Sequence, residues 1–204
     1  MPRAKVEHFT FLGAHPCLDF VNTAPGAERV DALRNFDDLV EWLSESRLVP
    51  MSELSEVSGR WSGVDARRTH EEALSFREEL IRMLERVVAS RNAPEHAITA
   101  INRYLSEREG RMELVRARTG FAQEFRRQLE RPGQLLVPIA ESATDLLCNH
   151  ELNRIKRCAS PPCGLYFYEV ARNRRRRWCS MKTCGNRAKL AAFRRRQRLA
   201  RRSN

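Results

Sequence analysis

CASPPCGLYFYEVARNRRRRWCSMKTCGNR, residues Cys158–Arg187, holds four cysteines, a proline pair, three consecutive aromatics and a run of four arginines. The cysteines are spaced C-x4-C-x15-C-x4-C (Cys158, Cys163, Cys179 and Cys184). Two close pairs, separated by enough chain for a small hairpin, form the pattern of a structural zinc site. Four thiolates favour zinc over harder ions and close the tetrahedron, leaving no position for a catalytic water. An iron–sulfur cluster can also use four thiolates. A redox dithiol is more typically C-x-x-C in a βαβ context, which this sequence lacks.

The residues between the cysteines fit a metal knuckle. Pro161 and Pro162 stiffen the turn before Cys163, and Gly164 can take the backbone conformation a knuckle needs. LYFYE is a good strand, with ARNRRRR expected as its turn and RWC as the return strand. Ser180 is placed to N-cap a helix whose first turn contains Cys184. A knuckle, a hairpin and a helix N-terminus around one zinc ion resemble the treble-clef class of fingers. So short a segment cannot build an adequate core alone, so the metal is expected to supply much of its folding free energy.

Charge separates this end from the rest. Residues 151–204 hold 17 Lys and Arg against two acids, a formal +15, whereas residues 1–150 hold 20 against 24, or −4. A cationic terminus on a weakly acidic body points to a polyanionic partner, with a solubilising tail as the plainer alternative. The first twenty residues contain no apolar run like that of a signal peptide, and no window reaches about 18 uncharged apolar residues. The protein is therefore expected to be soluble and cytoplasmic, without a membrane partner, in a compartment where disulfides are rare.

Upstream, the patterns are helical. Pro16 suits the start of a short helix over Cys17 to Asn22. Asn35 reads as the N-cap of NFDDLVEWLSES, with Phe36, Leu39, Val40 and Leu43 on one face. A short turn follows at Ser52 to Val57. A long core helix is expected from Val64 to Arg91, burying Leu74, Leu80, Ile81, Leu84, Val87 and Val88 with Glu and Arg opposite. Another runs from Ala93-Pro94-Glu95 to about Arg108, with Ile98, Ile101 and Leu105 inward. Residues 111–118 and 121–127 alternate around Thr119-Gly120 and predict a hairpin. Gln134 to Cys148 predicts the last helix of the body. Cys17 and Cys148 are expected as small buried side chains, and His150 as a boundary histidine.

At this point a family resemblance is carried by particular residues. RRWCSMKTCGNRAK (Arg176–Lys189), with Cys158-x4-Cys163-Gly164 upstream, resembles the CGNR-type zinc finger of bacteria; the naming residues stand here as Cys184, Gly185, Asn186 and Arg187. HPCLDFVNT (His15–Thr23) and the helix NFDDLVEWL resemble the ABATE domain found ahead of that finger. The resemblance implies a stress-induced transcription regulator with a mostly helical N-terminal domain and a DNA-binding finger whose ligands match these four cysteines. Two positions depart from the pattern. Glu169 replaces Asp but keeps its charge, and Ala171 lacks the usual Ser or Thr hydroxyl.

The expected architecture is thus mainly α with a small β-hairpin: a helical regulatory domain at 1–150 and a treble-clef-like finger with a basic helix at 151–204. Arg174, Arg175, Arg176 and Arg177 on the hairpin, with Lys189, Arg194, Arg195 and Arg198 on the helix, are candidates for DNA contact, chiefly with phosphates. Asn186 and Arg187 could read bases or support the metal site. Leu190 and Phe193, with Leu199 further on, are expected to form a narrow apolar strip. The leading function is a non-enzymatic DNA-binding regulator whose body dimerises, senses a small-molecule effector, or both. Asp19 and Asn22 are the first ligand-contact candidates, with helix capping as their structural alternative. RNA binding, with Tyr166, Phe167 and Tyr168 stacking on bases, is the second hypothesis. An enzyme using the N-terminal domain is the third, although no phosphate loop, nucleophile elbow or paired-histidine motif is present.

Overall fold

The computed structural model describes residues 9–24, 26, 29–57 and 59–202; the first eight of the twenty N-terminal residues considered above lie outside that set. Helix α1 (Pro16–Val21) is central, with Cys17, Leu18 and Phe20 fully buried. Its proline presets the first turn, and the His15 side chain caps it by accepting from the Cys17 N–H at 3.3 Å. Helix α2 (Phe36–Glu45) starts at Asn35, whose side chain accepts from the Asp38 N–H at 3.0 Å. The turn expected at 52–57 is a helix, α3 (Met51–Val57).

Helix α4 (Gly63–Val88) is the long spine. Leu80, Leu84 and Val87 are buried as its pattern requires, but Val88 is exposed and Arg77, on the supposed polar side, is buried. The Arg77 guanidinium donates to Asp31 at 2.5 and 2.8 Å and to the Thr23 hydroxyl at 2.9 Å, so the buried charge is paired and ties α4 to the loop after α1. Helix α5 (Glu95–Leu105) buries Ala97, Ile101 and Tyr104 while Ile98 is exposed.

Strands β1 (Gly110–Arg116) and β2 (Phe121–Arg127) form the expected antiparallel hairpin, with Met112 opposite Phe125 and Leu114 opposite Gln123. Neither face joins the core, and Met112, Leu114 and Phe121 are exposed. A 3₁₀ turn (Pro132–Leu136) leads into α6 (Val137–Asn149). The thiol of Cys148 is exposed there, contrary to its expected burial, because it lies off the face that buries Ile139, Ala143 and Leu146. Burial pushes the Cys17 thiol up to about 12, leaving it inert.

The C-terminal segment departs most from its pattern. Strand β4 (Tyr166–Tyr168) pairs antiparallel with β3 (Ile155–Arg157), upstream of the cysteine knuckle, and not with the RWC stretch. The other edge of β4 is already used: the Tyr168 N–H donates to the Gly13 carbonyl at 2.7 Å, and the Asn22 amide bonds both the N–H and the carbonyl of Tyr166 at 2.8 Å. The RWC stretch lies instead against the knuckle, where the Ala159 N–H donates to the Arg177 carbonyl at 2.8 Å. A π-helical turn (Met181–Gly185) then leads into α7 (Asn186–Arg202).

Two apolar clusters meet on β4. Tyr166 and Tyr168, with Ile155, face the helical core that contains Phe20, Trp42 and Leu84. Leu165 and Phe167 face a second cluster built from Cys158, Cys179 and Cys184, with Leu12 and Trp178 at its edge. Alternation along one strand therefore serves both cores. Among the described residues, no helix is long and apolar enough to cross a membrane.

Candidate metal centre and basic surface

The four sulfurs of Cys158, Cys163, Cys179 and Cys184 lie within 4.8 Å of one another. Four thiolates at ~2.3 Å from one ion stand about 3.8 Å apart. The separations here of 3.5 Å between Cys163 and Cys179 and 3.8 Å between Cys179 and Cys184 fit that tetrahedron, and none of the pairs is a disulfide. Local structure delivers each thiol. Gly164 adopts φ +69, the left-handed conformation that closes the knuckle after Cys163. The Ser180 hydroxyl accepts from the Thr183 N–H at 3.4 Å and starts the turn that presents Cys184.

Two of the thiols resist ionisation, while hydrogen bonds from the neighbouring cysteines outweigh burial at Cys184 and lower its pKa. Burial and the neighbouring sulfurs push the Cys179 thiol far up, and burial pushes Cys163 up. A divalent cation reverses that balance, since a coordinated thiol is deprotonated outright. The apolar contribution is small: Leu165 and Phe167 bring about 1.5–3 kcal/mol each, which the ordering of the loops around them consumes. The donor set and this thin core both fit a structural metal.

Buried Glu169 organises the arginine loop. Its carboxylate accepts from the Ala171 N–H at 2.9 Å, the Arg176 N–H at 2.6 Å and the Lys156 ammonium at 3.4 Å. Burial opposes its ionisation, but these donors hold its pKa below the usual carboxylate range. Glu169 thus caps the turn at 171 without a hydroxyl there.

The four arginines divide by what they touch. Arg176 lies over the Phe167 ring at 4.4 Å and donates to the Trp178 carbonyl at 3.0 Å and to the Cys179 carbonyl, bracing the metal loop. Arg174 donates to Glu151 at 2.5 Å and has φ +52, an uncommon conformation for a residue with a Cβ. Arg175 and Arg177 are exposed, the latter over the Trp178 ring at 5.3 Å. Lys156 and Arg157, which the sequence pattern did not single out, join Arg174–Arg177 around a groove. Lys156 also donates to the Arg174 and Arg176 carbonyls at 2.5 and 3.3 Å.

Helix α7 stands clear of the rest. Every residue from Lys189 to Leu199 is exposed, Arg194, Arg195 and Arg198 included, and so are Asn186 and Arg187. At 3.6 residues per turn, Arg187, Arg194 and Arg198 share one face. Leu190 and Phe193 are neighbours, but Leu199, nine positions beyond Leu190, falls half a turn away on the opposite side, so it does not extend their strip. The Asn186 amide donates to the Lys182 carbonyl at 3.1 Å, supporting the turn that carries Cys184.

The HPCLDFVNT segment ties the N-terminal helices to β4. Asp19 accepts from the Gly13 N–H at 2.7 Å and holds the residue whose carbonyl pairs with Tyr168; burial pushes its carboxyl up to about 6. Asn22 supplies the amide bridge to Tyr166. The three aromatics offered above for base stacking are likewise engaged: Tyr166 and Phe167 are buried and Tyr168 is half-buried.

His15, Asp145 and His150 form a second group of potential ligands within 4.8 Å. Both imidazole Nε2 atoms approach the same Asp145 oxygen, at 3.1 and 3.2 Å. Because His15 Nδ1 accepts from the Cys17 N–H, its Nε2 carries the proton when neutral, and the trio is a hydrogen-bonded bracket between α1 and α6. Burial holds the His15 imidazole below its ordinary pKa. The Asn149 and His15 hydrogen bonds hold Asp145 down at about 2.

These elements coincide with two known families. The CGNR zinc finger matches residues 154–197, which span β3, the four cysteines and most of α7. ABATE, described as "Putative stress-induced transcription regulator", matches residues 14–150. No curated protein matches the sequence. With two thirds of its length matched by that regulator family and its four close cysteines inside the zinc-finger match, the chain belongs to the ABATE family and carries a C-terminal CGNR zinc finger.

Proposed function

We propose that this regulator binds duplex DNA through its finger and α7, with Cys158, Cys163, Cys179 and Cys184 holding a single structural zinc ion. The observation that carries the reading is α7 itself, a 17-residue basic helix with every side chain from Lys189 to Leu199 exposed. A helix with no packed face draws little stability from its own chain, and its width suits a major groove. Arg187, Arg194 and Arg198 form the face directed at DNA. Arg175, Arg177, Lys189 and Arg195 contact flanking phosphates, while Arg174, Arg176 and Asn186 chiefly support the finger. Residues 1–150 act as the regulatory part, which senses a small effector and pairs two copies so that two fingers engage DNA together.

The test is fluorescence anisotropy of zinc-loaded protein on duplex DNA across a salt series. If about six phosphates are neutralised, log K against log salt falls with a slope near −5. Replacing Arg175 and Arg195 together by Ala flattens the slope by about 2. A salt-insensitive curve overturns the reading. A structured RNA that outcompetes duplex DNA at equal salt transfers it to RNA.

A further inference from the structure

Strands β1 and β2 pair in one continuous register, and among the described residues no further strand joins either edge. The Ala117 N–H donates to the Gly120 carbonyl at 3.1 Å, and the Gln128 N–H to the Glu109 carbonyl at 3.0 Å. In that register the ladder bonds of β1 fall on its odd-numbered residues, so Met112 and Leu114 turn their N–H and carbonyl groups away from β2. The β2 side is engaged with the body: Arg127 pairs with Glu141 of α6 at 3.2 Å, and the Arg108 guanidinium covers the Phe125 ring at 3.6 Å. The open edge is therefore β1. It has no proline, lysine or bulge, the usual devices that keep such an edge from pairing. Its apolar side chains stand in water, with Met112 57% and Leu114 72% exposed. A two-stranded hairpin without a face on a core is marginal by itself. Its charges are also poorly matched across its own ladder, since Arg111 lies opposite Arg126 and Glu113 opposite Glu124. One carboxylate, Glu113, answers both arginines, at 2.7 Å from Arg111 and 3.3 Å from Arg126.

We propose that β1 pairs antiparallel with β1 of a second copy about a two-fold axis at Met112, making a four-stranded sheet across the dimer. Outward-facing residues must meet outward-facing residues, so the axis falls on a residue and not between two. An axis at Arg111 or Glu113 sets a like charge against itself, and one at Leu114 leaves Glu113 facing Val115. At Met112, Arg111 of each copy faces Glu113 of the other, so two ion pairs form and each arginine gains a carboxylate. On the other face Met112 meets its own copy beside Leu114, covering apolar surface that the monomer leaves in water. The contact uses the same patch on both chains and closes at two. No finger residue takes part in it. The inference rests on the pairing of two copies in the proposed function and names the surface that does it.

Zinc-loaded full-length protein without DNA is followed by sedimentation equilibrium from about 1 to about 100 μM, with circular dichroism to check that each variant folds. Wild type passes from monomer to dimer over this range. Glu113→Arg sets arginine against arginine across the two-fold, Arg111→Glu sets carboxylate against carboxylate, and each weakens the dimer about tenfold or more. Each change also removes one like-charge opposition inside the hairpin, so the monomer keeps its fold. Combining the two exchanges the charges, makes the strand complementary to itself again, and returns the dimer to near wild-type strength. A dimer indifferent to Glu113→Arg, or one that the double variant fails to restore, overturns the β1 interface while leaving the pairing of two copies to another surface. Monomer at every concentration overturns both. Because DNA is absent, either failure leaves the DNA-binding reading to the salt series.

Discussion

Glu169 illustrates how much one side chain can organise. Without exposure to solvent, it holds two backbone N–H groups and one ammonium, and so sets the path of the loop that leads to Cys179. Glu169→Gln keeps the shape but turns an NH₂ toward one of those donors. We expect a loss of about 2–4 kcal/mol in urea denaturation of the zinc-loaded protein. The pH dependence has a definite sign. Because the folded pKa lies below the ordinary 4.5, the carboxylate's contribution is complete above that value and is lost as pH falls through the folded pKa. The difference between wild type and Glu169→Gln should therefore shrink on acidification; a constant difference contradicts this role. Sequence alone showed that charge persists at 169. It did not show what the charge holds, because its partners lie up to 13 residues away in the chain.

At the level of elements, the periodic helices were readable and the shared strand was not. Asn35 and Pro16 begin helices where local chemistry places them, since a cap acts within one turn. The choice between RWC and Ile155–Arg157 as partner for β4 depends on a competitor more than a hundred residues away, the Asn22 amide, which occupies the free edge. Likewise the four cysteines were legible from spacing, whereas the division of the arginine run depended on the fold: Arg176 turned inward to brace the metal loop and Arg175 did not. Asn22→Ala leaves a buried N–H and carbonyl of Tyr166 without partners. It should destabilise the protein by about 2–4 kcal/mol, read as a lowered urea midpoint with the zinc content unchanged. Wild-type stability in this variant contradicts the bridge.

For the whole molecule, the two clusters on opposite faces of β4 imply that metal and body melt together. Thermal unfolding of zinc-loaded protein should show one transition, and a chelator should lower the melting temperature reported by Trp42, which sits in the helical core far from the cysteines in sequence. An unchanged Trp42 transition after demonstrated zinc loss means that the body stands without its finger. The split strand also bears on how such chains can be recombined. Two families meet between residues 150 and 154, which makes that point look like a seam for exchange. Yet a finger transplanted there arrives with its own residues at 166 and 168, and these must fit a foreign helical core. It must also accept the amide of Asn22 and the carbonyl of Gly13 from the host. A functional graft therefore has to carry residues 9–24 along with the cysteines, so the unit of exchange is discontinuous in the chain.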